Sequence, residues 1–284
     1  MKIIESPRDA IQGINEFIPT ELKIKYINTL LQVGFDIIDF GSFVSPKSIP
    51  QMSDVKKVVS NLYLHDTKTK LMAIVGNKKG ALDLVNFEEI NYIGYPFSIS
   101  ETFLKRNINS NFKKSLDVLD EIIDISINYD KKIIVYLSMG FGNPYDDEWN
   151  TDIVLDNIDM LFNMGITKIN ISDTIGLSTP EVIEEVFTES IDEFPDIKFG
   201  FHLHTPSNDW YNKIDSAYKS GVEIFDSVLG GYGGCPMTGF ELMGNLNTKN
   251  LLDFCYDKDI ITNINKEWLN KSINISEQIF KNYK

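Results

Sequence analysis

Two of the three histidines in the chain, His202 and His204, stand one residue apart in Gly200-Phe201-His202-Leu203-His204. Side chains at i and i+2 of a β-strand leave the same face, so the pair is spaced to grip one metal ion. Downstream, Gly230-Gly231-Tyr232-Gly233-Gly234 leads into Cys235, one of two cysteines, and Asn245 follows. Four glycines let backbone N–H groups and a thiol approach a ligand closely, because no Cβ atoms obstruct it. The expectation is a metal ion and a reactive thiol meeting at one site.

Asp9, His202, His204 and the amide oxygen of Asn245 make a mixed N/O donor set for a divalent ion. Imidazole with carboxylate and carbonyl oxygen suits Mg²⁺, Mn²⁺ or Zn²⁺. An octahedral ion with open positions would chelate a substrate that offers a hydroxyl beside a carboxylate or carbonyl. Arg8, adjoining Asp9, can bind or polarise an oxyanion. Cys235, flanked by glycine N–H groups and near a cation, can have its pKa lowered enough to serve as acid or base. Each residue also has a plainer use. A His pair on a strand is often structural, a lone cysteine is usually a small buried hydrophobe, and Asp39 or Asp173 can cap a turn. Arg8 can be an ion-pair partner. His65 and Cys255 receive no role.

The elements that must position these residues are legible as apolar runs alternating with amphipathic stretches. Strands are expected at 2–6, 35–40, 70–75, 90–95, 132–138, 168–172, 197–204 and 222–227. Helices are expected at 20–33 (Thr20 as cap), 54–61, 78–85, 111–128, 151–163, 179–190, 208–220 and 247–256. Such alternation implies parallel strands joined by crossovers, and eight units point to a (β/α)8 TIM barrel. A doubly wound sheet would carry a glycine fingerprint after its first strand, where this chain has Pro7-Arg8-Asp9-Ala10. Residues 1–284 are expected to form a single barrel domain, with 262–284 an appended C-terminal helix. In a barrel, the C-terminal ends of the strands build the site. That rule collects Arg8, Asp9, Asp39, Asp173, His202, His204, Cys235 and Asn245.

Composition bounds the partners. The 284 residues are 43% hydrophobic and 24% charged, with a formal net charge of −14. That balance argues against nucleic acid and against an anionic membrane surface. Two cysteines make no disulfide framework, and neither a secretory signal nor a membrane-length apolar run is visible. A cytoplasmic location is expected.

Several motifs together resemble the hydroxymethylglutaryl-CoA lyase family of metal-dependent TIM-barrel lyases. They are Pro7-Arg8-Asp9-Ala10-Ile11-Gln12, Ser42-Phe43-Val44-Ser45-Pro46-Lys47, Pro50-Gln51-Met52, Asp173-Thr174-Ile175-Gly176 and Gly233-Gly234-Cys235-Pro236. The resemblance runs from about residue 2 to 256. It implies cleavage of 3-hydroxy-3-methylglutaryl-CoA to acetoacetate and acetyl-CoA, a step of leucine breakdown. By the same resemblance Asp9, His202, His204 and Asn245 would bind a divalent metal, with Mg²⁺ or Mn²⁺ favoured. Arg8 would stabilise the enolate of the departing acetyl-CoA, and Cys235 would be the catalytic thiol. Asp39 and Asp173 match acidic positions that support the site, and Gln12 matches a residue beside the substrate. The family also implies a homodimer. Lys47, Lys105 and Arg106 are candidates to meet the CoA.

The chain departs from the family pattern at four places. Thr205 stands where Asp usually follows the His pair, Asp39 where Glu is usual, and Ser172 where Gly is usual. The spacing from Cys235 to Asn245 is one residue longer than in the animal enzymes. The alternatives are an aldolase or condensing relative acting on another 3-hydroxyacyl-CoA or a 2-oxo acid, and a non-catalytic acyl-CoA-binding barrel.

Overall fold

A computed structural model describes residues 1–234 and 243–283. Eight strands occur in it: β1 (Lys2–Glu5), β2 (Ile37–Ser42), β3 (Lys70–Ile74), β4 (Ile90–Ser98), β5 (Lys132–Ser138), β6 (Lys168–Asp173), β7 (Lys198–Leu203) and β8 (Ile224–Ser227). They pair in parallel in sequence order, and β8 pairs with β1 to close the barrel. The helices are α1 (Pro7–Ile11), α2 (Thr20–Leu30), α3 (Val55–Val59), α4 (Lys78–Leu84), α5 (Glu101–Ile108), α6 (Phe112–Asn128), α7 (Thr151–Asn163), α8 (Pro180–Glu193), α9 (Tyr211–Lys219), α10 (Thr248–Asp257) and α11 (Lys266–Asn282). The eight-fold alternation expected from the sequence is therefore a TIM barrel.

Two apolar layers follow from strand alternation. Ile4, Ile37, Met72, Ile74, Ile134, Tyr136 and Ile224 form a cluster of their own inside the barrel. The opposite faces, among them Ile3, Ile38, Leu71, Ile93, Val135 and Phe201, join the larger core between sheet and helices. Side-chain oxygens at the helix starts take up backbone donors that have no partner within the helix. Asn111 accepts from Lys114 N, Asn150 from Ile153 N and Thr179 from Val182 N.

Several boundaries differ from the sequence expectation. Thr20 is the first helical residue rather than a cap, because Pro19 occupies the preceding position. Helix α2 ends at Leu30, not residue 33, and the turn closes through Gly34 at φ +97. Strand β2 lies two residues later than 35–40, and β4 extends to Ser98. Helix α9 begins at Tyr211 rather than 208, after the Pro206–Asp209 turn. Helix α1, in the stretch read only as the end of the first strand, and α5 were not expected.

Helix α11 buttresses the last loop. Ser276 Oγ donates to Leu229 O at 3.3 Å, and Phe280 stacks on Tyr232 with centroids 3.8 Å apart. No helix among the described residues is long and apolar enough to cross a membrane.

Candidate active site

Strand β7 delivers His202 on its inner face, and His204 follows one residue past the strand end. The chain after β8 returns to lie beside it. Asn245 bridges His204, Thr205 N donates to Gly244 O at 3.0 Å, and Leu246 N donates to Leu203 O at 2.9 Å. From the other side, α1 follows β1 at once, with Pro7 at its first position, where a missing N–H costs nothing. That short helix carries Arg8, Asp9 and, at its C-cap, Gln12.

The two imidazoles are oriented by their Nδ1 atoms. His202 Nδ1 lies 2.9 Å from Asp226 Oδ2, and His204 Nδ1 lies 3.1 Å from the carbonyl of Met243. Both nitrogens therefore serve as donors, which leaves the Nε2 atoms facing each other across 3.1 Å. Two lone pairs at that separation need a proton or a cation between them. Asp9 Oδ2 stands 4.0 Å from His202 Nε2, and ligand atoms of Asp9, His202 and His204 all lie within 4.8 Å of one another. A donor set of two oriented imidazoles and one carboxylate fits a divalent ion. Asn245 joins the group through its amide nitrogen, which donates to Asp9 Oδ2 at 2.8 Å and to Tyr232 O at 2.9 Å.

Arg8 is buried against two carboxylates. Its Nε and Nη2 donate to Asp39 Oδ2 at 2.9 and 2.6 Å, and its Nη1 donates to Asp9 Oδ1 at 2.8 Å and Gln12 Oε1 at 2.9 Å. A guanidinium has five N–H donors. Four are used among the described residues, leaving one on Nη2 for a substrate oxygen. Gln12 Nε2 donates to Asp9 Oδ1 at 2.7 Å, so Arg8, Asp9 and Gln12 brace one another.

Charge states follow from burial and pairing. Burial alone would raise the Asp9 carboxyl, but Arg8 and the two histidines hold it down at about 2. Burial pushes Asp39 up to about 6 despite the neighbouring Arg8. Burial and the adjacent His202 push His204 down to about 4. Burial works against His202 too, yet its bond to Asp226 keeps it above the ordinary histidine value.

Arg8, Asp9, Gln12, Asp39, His202, His204 and Asn245 are thus brought into one connected cluster. Asp173 is not part of it. Its oxygens accept from Leu177 N at 2.9 Å, from Ser178 N at 3.0 Å and from Ser178 Oγ at 2.5 Å, with Lys213 Nζ 3.9 Å away. It shapes the Thr174–Ser178 turn, whose Gly176 lies against the His204 backbone. Cys235 lies outside the described residues. Lys47, Lys105 and Arg106 are exposed and outside the cluster; the Arg106 guanidinium stacks on Tyr145 at 4.6 Å.

The sequence reading missed Asp226 and Asn170. Asp226 pairs in register with His202, and its second oxygen accepts from Asn170 Nδ2 at 2.8 Å. Tyr136 meets the His202 ring edge-on at 5.5 Å. Gly200 leaves the room, since a Cβ there would lie 2.3 Å from Asn170 Oδ1. The available signal was parity: Asp226 and Asn170 are polar residues on the inner face of otherwise apolar strands. Gly233, at φ +89, packs against Asp9 O, Ala10 and Asn245 Nδ2, where a Cβ would come within 3.0 Å.

The chain is similar to known proteins over most of its length. The sequence model of the HMGL-like family matches residues 1–274. The hydroxymethylglutaryl-CoA lyase YngG of Bacillus subtilis is 32% identical over 93% of this chain and 87% of its own length. A crystal structure of the Bacillus subtilis HMG-CoA lyase superposes with a TM-score of 0.92 at 30% identity, covering 99% of this chain and 93% of that one. An HMG-CoA lyase from Acinetobacter baumannii, in complex with coenzyme A and 3-methylmalate, gives a TM-score of 0.89 at 27% identity, covering 98% and 90%.

Proposed function

This chain belongs to the HMGL-like family, and on that footing we propose that it is a metal-dependent carbon–carbon lyase. Its substrate is 3-hydroxy-3-methylglutaryl-CoA and its products are acetoacetate and acetyl-CoA. The observation that carries the reading is the pair of Nε2 atoms turned toward one point beside Asp9, with Arg8 adjoining. Asp9, His202 and His204 would hold the ion, Mg²⁺ or Mn²⁺, and Asn245 would complete the set through its amide oxygen, with the amide turned over from the orientation in which its nitrogen donates to Asp9 Oδ2. A bound ion would supply Lewis acidity to the tertiary hydroxyl and a carboxylate oxygen of the substrate.

The chain's own residues account for the rest. The bond between C2 and C3 breaks when the deprotonated hydroxyl collapses to a ketone and the electron pair passes to the thioester as an enolate. The remaining Nη2 hydrogen of Arg8 meets that developing oxyanion in a buried setting where the interaction is strong. Asp39 and Gln12 hold the guanidinium in place, while Asp226 and the Met243 carbonyl hold the imidazoles. Cys235 supplies the proton that converts the enolate to acetyl-CoA, and the proton given up by the tertiary hydroxyl restores the thiol, so the cycle closes with no net proton gained or lost. Asp173 acts through the turn it shapes, as a positioning residue. Residues 1–284 form a single domain, and the protein works in the cytoplasm as a homodimer on an acyl-CoA, without nucleic acid or membrane partners.

The test is an assay of purified, thiol-protected protein with hydroxymethylglutaryl-CoA, following acetoacetate with and without Mg²⁺ or Mn²⁺. Metal-dependent release is the expected result. Bound metal without release would move the substrate to another 3-hydroxyacyl-CoA.

A further inference from the structure

The N-terminal mouth of the barrel, opposite the His202–His204 end, is ringed by lysine. Five of the eight strands begin with one: Lys2, Lys70, Lys132, Lys168 and Lys198. Side chains two apart share a face, so each lysine takes the parity of the barrel interior. Lys2 goes with Ile4, Lys70 with Met72, Lys132 with Ile134, Lys168 with Asn170, and Lys198 with His202. The interior apolar cluster that includes Ile4, Met72 and Ile134 separates this ring from the histidines.

No ion pair among the described residues neutralises the ring, although Asp36 and Glu223 stand at the same rim, where their backbone carbonyls accept from Lys70 N and Lys2 N. Lys168 and Lys198 are direct cross-strand partners, an arrangement of like charges that destabilises a sheet. None of the five ammonium groups has an ion-pair or hydrogen-bond partner among the described residues. Burial and then the charges of Lys198, Lys2 and Lys132 hold the Lys168 ammonium below its ordinary range. Glu88 and Asp130 share a cleft with Lys70 and Lys132, yet neither forms an ion pair with them. The chain carries 41 acidic against 27 basic residues, so five lysines at one end of the barrel, none ion-paired among the described residues, stand against its overall charge.

We propose that this mouth is a binding site for a multivalent phosphate-type oxyanion, held on the barrel axis by Lys2, Lys132, Lys168 and Lys198 with Lys70 at the rim. Lysine ammonium groups bind phosphate as point charges without demanding a bidentate geometry. A multivalent anion offsets several of them at once, which a single chloride does not. The site is independent of the lyase reading and lies at the other end of the barrel.

Thermal unfolding of the full chain, at fixed free Mg²⁺, tests it. Pyrophosphate is expected to raise Tm by about 5 °C beyond NaCl of equal ionic strength. The double substitution Lys168→Met with Lys198→Met should abolish that increment and raise Tm in the absence of anion by relieving the repulsion. Lys132→Gln, a change at an exposed position, should at least halve the increment. ATP titrated in parallel distinguishes the source: an equal shift supports a free phosphate anion, and a larger one lost in the same variants supports a nucleotide. Equal stabilisation by NaCl would reduce the effect to screening and overturn the proposal, as would an increment that survives in the double variant.

Discussion

At the scale of single residues, the site is an exercise in assigning donors. His202 and His204 commit Nδ1 to Asp226 and to the Met243 carbonyl, and only then do both Nε2 atoms face the same point. Replacing Asp226 with Asn removes the charge that orients and enriches His202. Metal affinity should fall roughly 10–100-fold, read by titrating metal into chelator-stripped protein; unchanged affinity would separate Asp226 from the ligand set. His204→Ala should lose stoichiometric metal after dialysis. Arg8→Gln removes the donor assigned to the enolate oxygen, and kcat should drop about 10²–10³-fold with a smaller change in KM. A loss confined to KM would make Arg8 a binding residue only.

At the scale of elements, one buried carboxylate gathers the base of the last loop. Glu5, at the end of β1, accepts from Leu229 N at 2.8 Å and lies 2.6 Å from Thr248 Oγ1, so it holds both ends of the stretch between β8 and α10. Thr248 Oγ1 is also 3.1 Å from Ser227 Oγ. Thr248 Oγ1 has one proton and two acceptors in reach, so it donates to Glu5 when the carboxylate is ionised and is free to donate to Ser227 when Glu5 is protonated. Burial pushes this carboxyl from 4.5 to about 8, against the hydrogen bonds from Thr248 and Leu229. The folded state therefore holds the proton more tightly than the unfolded chain. Stability from this group is complete below about pH 4.5 and is lost as pH rises to about 8, by at most about 5 kcal/mol. Glu5→Gln keeps the acceptor for Leu229 and cannot ionise. Its Tm should decline less than that of the parent between pH 5 and 8, and parallel profiles would show that Glu5 is already charged.

At the scale of the whole molecule, the outer helical layer holds the inner site. Helix α11 is not one of the crossover helices, yet it packs on α2 and on the 229–231 turn. Its Ile279 is fully buried, facing Ile11, Tyr26 and Ile27. Cutting it to alanine should cost about 2–5 kcal/mol, measured as a lower urea midpoint at unchanged slope. A loss below about 1 kcal/mol would mean that the helix is a loosely held appendage.

The sequence alone determined the barrel and most of its cluster, because both rest on local patterns. Apolar runs of strand length alternate with helical periodicity, and the C-terminal ends of those strands collect Arg8, Asp9, Asp39, His202 and His204. Single-residue motifs such as His202-Leu203-His204 are visible because a strand repeats every two residues. What only the tertiary structure decided depends on register between strands distant in sequence. Asp226 orients His202 because β7 and β8 pair Phe201 with Phe225 and His202 with Asp226. Asp173, equally well placed along its own strand, turns instead to Leu177 and Ser178. A carboxylate at a strand end can face the barrel mouth or cap the turn that follows. The nearest satisfied donors choose between them, and those donors are set in space rather than along the chain.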